Sequence, residues 1–156
     1  APVENELAKR AMLSMRLPVP ELFFKDEPLP FSRWPNEGWA KYGKVIDKGS
    51  VPRHGDKSNR GGVFRHETER ALRWSEAKDV YVSGIFGHSW ADDTIKVAKL
   101  DTEAGTIKTA EPHLYGFMNK AFTTWCVVNL LEEIDDSGDR VLGHRRLEHV
   151  ARRLDP

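Results

Sequence analysis

Two adjacent carboxylates, Asp92 and Asp93, follow Trp90 and Ala91 at the point where an extended run ends. Paired carboxylates divide the acid and base roles of glycoside hydrolysis when their surroundings split their pKa values and they face each other across about 5–10 Å. Neighbouring side chains on an extended chain point to opposite faces, so these two do not form that pair with one another. A turn whose carboxylates accept backbone N–H groups is the simpler expectation, which leaves Asp92 and Asp93 as acid candidates and nothing more. A second acidic run, Glu132-Glu133-Ile134-Asp135-Asp136, offers oxygen atoms of the kind calcium takes. It lacks the spaced Asp/Asn positions and closing Glu of a helix–loop–helix calcium site, and the expectation is a solvated acidic turn. The six histidines, His54, His66, His88, His113, His144 and His149, show no spacing that sets two imidazoles on one helical face. A metal site across strands from His66, His88 and Asp92 is conceivable, but scattered surface histidines account for the pattern as well. Cys126 lies within an apolar run, where a thiol is packing rather than a nucleophile. No nucleophile elbow, dinucleotide loop or phosphate loop is present, and the residues call for no cofactor and no metal.

The aromatic residues are more informative. Trp34, Trp39, Trp74, Trp90 and Trp125 amount to one Trp per roughly thirty residues, joined by Tyr42, Tyr81 and Tyr115. Aromatic faces fill small β-rich cores, and they also stack on sugar rings. Trp34 and Trp39 flank the polar loop Pro35–Gly38, where an exposed platform could form. With Trp90 they are the carbohydrate-contact candidates.

Such residues need elements to hold them. The chain has 156 residues, 39% apolar and 31% charged, enough for one ordinary domain. Its 24 basic and 24 acidic side chains balance to zero, which argues against nucleic acid or an anionic membrane as the main partner. One cysteine permits no intrachain disulfide and no thiolate zinc cage. No run is long and apolar enough to span a bilayer, and the N-terminus does not read as a secretion signal.

Leu7, Ala8, Ala11, Met12 and Met15 recur at helical spacing, which predicts a helix over about Glu4–Met15, stopped by Pro18 and Pro20. Beyond it the pattern changes to short strands and turns. Leu22–Phe24 and Leu29–Arg33 read as a hairpin around Lys25–Pro28, followed by the loop Trp34–Trp39 and a strand over Lys41–Ile46. Residues 47–62 are polar and rich in Gly and Pro, as a long surface loop requires. Val80–Phe86 is the clearest strand, with Gly84 suited to a bulge. Thr94–Leu100 and Thr106–Ala110 form a second hairpin in which Gly105 takes the left-handed turn position. Thr123–Leu130, apolar on both faces, is a central strand. The expected fold is mostly β, a small sandwich or barrel-like domain with one N-terminal helix and a helical C-terminal tail.

Several stretches together resemble one family. Leu22-Phe23-Phe24-Lys25-Asp26-Glu27-Pro28-Leu29-Pro30-Phe31-Ser32-Arg33-Trp34-Pro35-Asn36-Glu37-Gly38 is similar to a segment of large bacterial right-handed parallel β-helix proteins. So are Val82–Phe86 with Trp90–Asp93 and Ile95–Val97, the hairpin Leu100–Glu111, and Asn129–Gly138. The resemblance, covering about residues 20–139, is to glycoside hydrolase family 141 and its pectate-lyase-like relatives. It implies a β-rich domain inserted between early coils of the β-helix, with the catalytic carboxylates in coils outside this segment. No catalytic residue therefore carries over to any position here. It further implies a non-catalytic accessory domain bordering a polysaccharide groove, with the rest of the β-helix as partner and an extracellular or periplasmic home. Two readings compete with it: a fragment lending Asp92 or Asp93 to an active site, and a basic-tailed interaction module.

The division expected is 1–19 helix and linker, 20–139 inserted β domain, and 140–156 an atypical basic tail. That tail carries Arg140, Arg145, Arg146, Arg152 and Arg153 against Glu148 and Asp155, with Leu147, Val150, Ala151 and Leu154 at helical spacing. The family pattern continues instead with an aromatic strand. Codons that could encode Arg140–Arg145, read one base later, spell Gly-Tyr-Trp-Asp-Thr, so a frameshift is the expected origin of the tail.

Overall fold

A computed structural model of the chain describes residues 23–24, 27–28, 31–41 and 43–133. The helix expected over Glu4–Met15 and the tail 140–156 lie outside the described residues. Within them are nine strands: β1 Phe23–Phe24, β2 Glu27–Pro28, β3 Arg33–Trp34, β4 Val45–Asp47, β5 Val63–Arg65, β6 Tyr81–Ile85, β7 Asp92–Asp101, β8 Thr106–Thr109 and β9 Thr124–Val128. Short 3-10 turns occupy Pro52–His54, Glu69–Trp74 and Leu131–Glu133. The fold is mostly β, as the alternation of apolar residues requires.

β1 and β2 pair by themselves, and the other seven strands form one antiparallel sheet in the order β3-β9-β6-β7-β8-β5-β4. β7 is the hinge of this sheet. Its first half pairs with β6, a register shift falls between Val97 and Lys99, and its second half pairs with β8. An extra residue on one strand increases local twist and bends it, which turns the second half of the sheet over the first. The stretch between β3 and β4 then joins the two ends. Ala40 exchanges both backbone hydrogen bonds with Trp125 of β9, while Gly43 and Lys44 exchange theirs with Arg65 of β5. The sheet thereby curls into a barrel-like form with little open edge.

Alternate positions fill the interior. Phe64, Val82, Phe86, Ile95, Ile107, Phe117, Trp125 and Val127 belong to one buried cluster. The Phe64 and Trp125 rings, from the strands next to the two ends of the strand order, lie 5.7 Å apart, so the curled sheet has a continuous aromatic filling.

Several expectations need correcting. The first hairpin is tighter than predicted: its second strand is Glu27–Pro28, and Arg33 joins the large sheet opposite Val128. The strand expected over Lys41–Ile46 is Val45–Asp47, because Gly43 and Lys44 bond to β5 one residue at a time outside the regular ladder. Gly84 carries no bulge. Its register with Asp93 and Trp125 runs unbroken on both sides, and it is glycine because a Cβ there would collide with the Thr124 carbonyl. Gly105 does take the left-handed turn, at φ 64°. Val63–Arg65 and the turn Glu69–Trp74 had no periodic signal strong enough to announce them.

Candidate functional site

Where β6 ends, Phe86 turns into the core and the chain makes a tight turn in which the Ala91 N–H donates to the His88 carbonyl at 2.9 Å. Phe86 and Ala91 are buried at its two ends, so His88, Ser89 and Trp90 between them project outwards. A second turn faces it, closed by the Gly116 N–H on the His113 carbonyl at 2.9 Å, and presents Tyr115. The two turns bring three rings together. Trp90 stacks on His88 at 5.3 Å with planes 9° apart, and Tyr115 stands edge-on to both, at 4.9 Å from His88 and 5.0 Å from Trp90. Trp90 nevertheless keeps 60% of its surface exposed. The result is an aromatic platform on the surface, held from below by the core.

His113 is the floor of this platform. Its ring is buried, 6.0 Å from both Tyr115 and Phe86, and its Nδ1 accepts the Tyr115 N–H at 3.3 Å while lying 3.2 Å from the Gly116 carbonyl oxygen. Burial holds the imidazole below its ordinary pKa. The Asp93 carboxylate and the Gly116 and Ala91 carbonyls pull the other way without reversing the direction. An imidazole engaged with the backbone in this way positions the turn rather than moving protons.

The acid candidates take different places. Asp92 and Asp93 begin β7 instead of ending a strand, paired with Ile85 and Gly84. They alternate as an extended chain demands: Asp92 is exposed and Asp93 half-buried. Asp93 accepts the Thr94 N–H at 2.8 Å, the backbone role expected of it.

The three tryptophan candidates separate. Trp34 is half-buried and packs against the core, 5.4 Å from Trp74 and 5.7 Å from Trp125, rather than standing out as a surface platform. Trp39 is half-exposed, with the Arg33 guanidinium 5.2 Å from its ring centre and that guanidinium donating to the Gly38 carbonyl at 2.5 Å. Trp90 is the candidate that gathers other rings around it. His88 and Tyr115, which complete its platform, were missed because they stand 27 residues apart and only the facing turns join them.

The remaining chemistry-bearing groups are structural. His66 follows β5, its N–H on the Gly105 carbonyl, and burial holds its ring below the ordinary value. Among the described residues no three His, Cys, Asp or Glu side chains come close enough to hold a metal ion, so His66, His88 and Asp92 are not brought together. Burial pushes the Cys126 thiol up, which disfavours the thiolate. The acidic run corrects an expectation outright. Glu133 is fully buried: its carboxylate receives Nε and Nη2 of Arg70 at 2.6–3.0 Å and the Trp74 indole N–H at 2.7 Å.

No helix among the described residues is long and apolar enough to cross a membrane. No family model matches the chain, and neither a curated protein nor a solved structure shows significant similarity to it.

Proposed function

We propose that this chain is a non-catalytic accessory domain of a carbohydrate-active protein, an insertion in a right-handed β-helix, and that it borders a polysaccharide groove. The observation that carries this reading is the exposed Trp90 platform. A large flat ring, backed by His88 and Tyr115 and seated on a buried floor, is preorganised to stack on a sugar ring at little entropic cost. The acid candidates support a non-catalytic role, since Asp93 is engaged by the backbone and Asp92 points to the opposite face. On this reading the partner is the remaining β-helix, and the domain works outside the cytoplasm with its parent.

The test is Trp fluorescence and calorimetry on the whole chain against a panel of plant cell-wall polysaccharides and their oligosaccharides. A saturable shift is expected, weakened about tenfold or more in Trp90→Ala, which corresponds to about 1.4 kcal/mol. Trp39→Ala is expected to change affinity less, because Arg33 already covers part of that ring. Absence of saturable binding by the folded chain overturns the platform reading.

A further inference from the structure

His66 keeps only 8% of its surface exposed, and neither of its ring nitrogens makes a hydrogen bond. A buried imidazole in that state stays neutral, because a second N–H and a charge would both go unanswered. Burial is the main cause that lowers its pKa, and the Arg65 charge acts in the same direction. The Thr68 backbone lies beside the ring and works against both without reversing them. The other charges on the elements around it are exposed or turned elsewhere. On its own segment, Glu67 reaches over Gly43, where its carboxylate would meet a Cβ at 3.0 Å. The turn between β7 and β8 offers its Gly105 carbonyl to the His66 N–H, while Asp101 receives Lys99 and the Ala104 N–H and Glu103 is exposed. On the turn that follows His66, Glu69 is exposed and Arg70 is engaged with Glu133. That turn begins at Thr68, whose hydroxyl accepts the Arg70 N–H at 3.1 Å. Its Arg70 and Trp74 then hold the buried Glu133 carboxylate through hydrogen bonds of 2.6–3.0 Å.

We infer that residues 66–74 form an acid-sensitive latch: a proton taken up by His66 drives its ring out to water, undoes the Thr68 cap and loosens the hold of Arg70 and Trp74 on Glu133. A charged imidazole gains hydrogen bonds for both N–H groups only by leaving its buried place. With Glu67 alone between the ring and the cap, that swing passes directly to Thr68. The sign follows from the lowered folded pKa. The closed latch is favoured at neutral pH, and the open form gains ground as pH falls below about 6.5. Opening is local, because Thr68, Arg70 and Trp74 belong to one short turn outside the seven-stranded sheet. It is independent of the sugar platform, which stands on the turns at His88–Trp90 and His113–Gly116.

The experiment follows hydrogen exchange of the full chain by NMR at a series of pH values, each corrected for the intrinsic exchange rate. Protection of the Arg70 amide and the Trp74 indole N–H is expected to fall by up to about tenfold per pH unit below about pH 6.5. The fall should level off where His66 titrates in the folded chain, read from its own ring resonances. The Trp125–Val127 amides of β9 are expected to stay at least about tenfold better protected throughout. His66→Gln, polar but without a titration, and His66→Phe, an apolar ring for the buried place, should each abolish the fall at Arg70 and Trp74. His113→Gln should leave it in place. A fall that survives the His66 variants overturns the latch. So does a folded His66 that titrates at or above about 6.5, since protonation would then not favour opening. Protection at Arg70 and Trp74 that equals that of β9 and moves with it overturns the latch as well, because the turn would then open only with the whole chain.

Discussion

Glu133 brings a carboxylate to full burial at the end of the described chain, and three donors meet it there. Arg70 and Trp74 come from successive parts of the turn Glu69–Trp74, so one short element supplies both the charge and the indole N–H. Arg73 extends the grip to the Glu132 carbonyl at 3.0 Å. Removing the carboxylate leaves a buried indole donor unsatisfied and takes the Glu133 hydrogen bonds from the Arg70 guanidinium. Glu133→Ala should therefore lower stability by about 2–4 kcal/mol in urea unfolding. Glu133→Gln should cost less, since the amide oxygen still accepts from Trp74. Nothing in the residue string separated Glu133 from the acidic residues around it. Solvation is the default for such a run, and only the position of Arg70 and Trp74 in space overrides it.

At the scale of elements, β6 and β9 show why the ladder needs its glycine. Gly84 pairs with Trp125, and the Thr124 carbonyl occupies the space a side chain would need. Gly84→Ala is expected to destabilise the chain by about 2–3 kcal/mol, read as a drop in the urea midpoint at unchanged slope. The strands with plain alternation, β6 and β7, could be read from the residues almost to their ends. Those set by distant partners could not. Val63–Arg65 is three residues long and becomes a strand because Ile107 and Val45 flank Phe64 on its two sides. The same holds for Arg33–Trp34: the residues placed Arg33 at the end of a local hairpin and Trp34 in the loop after it, and the fold pairs both with β9.

The molecule as a whole carries its titration signature in buried histidines and surface aspartates. His66 and His113 are both held below the ordinary value of 6.5, each chiefly by burial. As pH falls below about 6.5 the unfolded chain takes up protons that the folded chain refuses, so stability declines in that window. Asp47, Asp56 and Asp101 are held below 3.8 mainly by hydrogen bonds, and their contribution is lost only as pH falls through and below that value. Two separate declines are expected when unfolding free energy is followed from neutral to acid pH, and His113→Gln should flatten the first of them. An unchanged slope in that variant would show that His113 is not among its causes.

The residues alone determined the β class, the tight turn at Gly105 and the opposed faces of Asp92 and Asp93, because each depends on neighbours within a few positions. Alternation with a period of two and the steric freedom of glycine act locally and leave their mark in the string. The fate of the tryptophans was decided otherwise. Trp34, Trp39 and Trp90 are the same side chain in similarly polar surroundings, yet one is half-buried against the core, one lies under a guanidinium and one is left open beside His88 and Tyr115. Burial is a competition among all apolar groups for one interior. Its outcome depends on how the bend in β7 and the closure at Ala40 curl the sheet, and that closure is a contact between residues far apart in the chain.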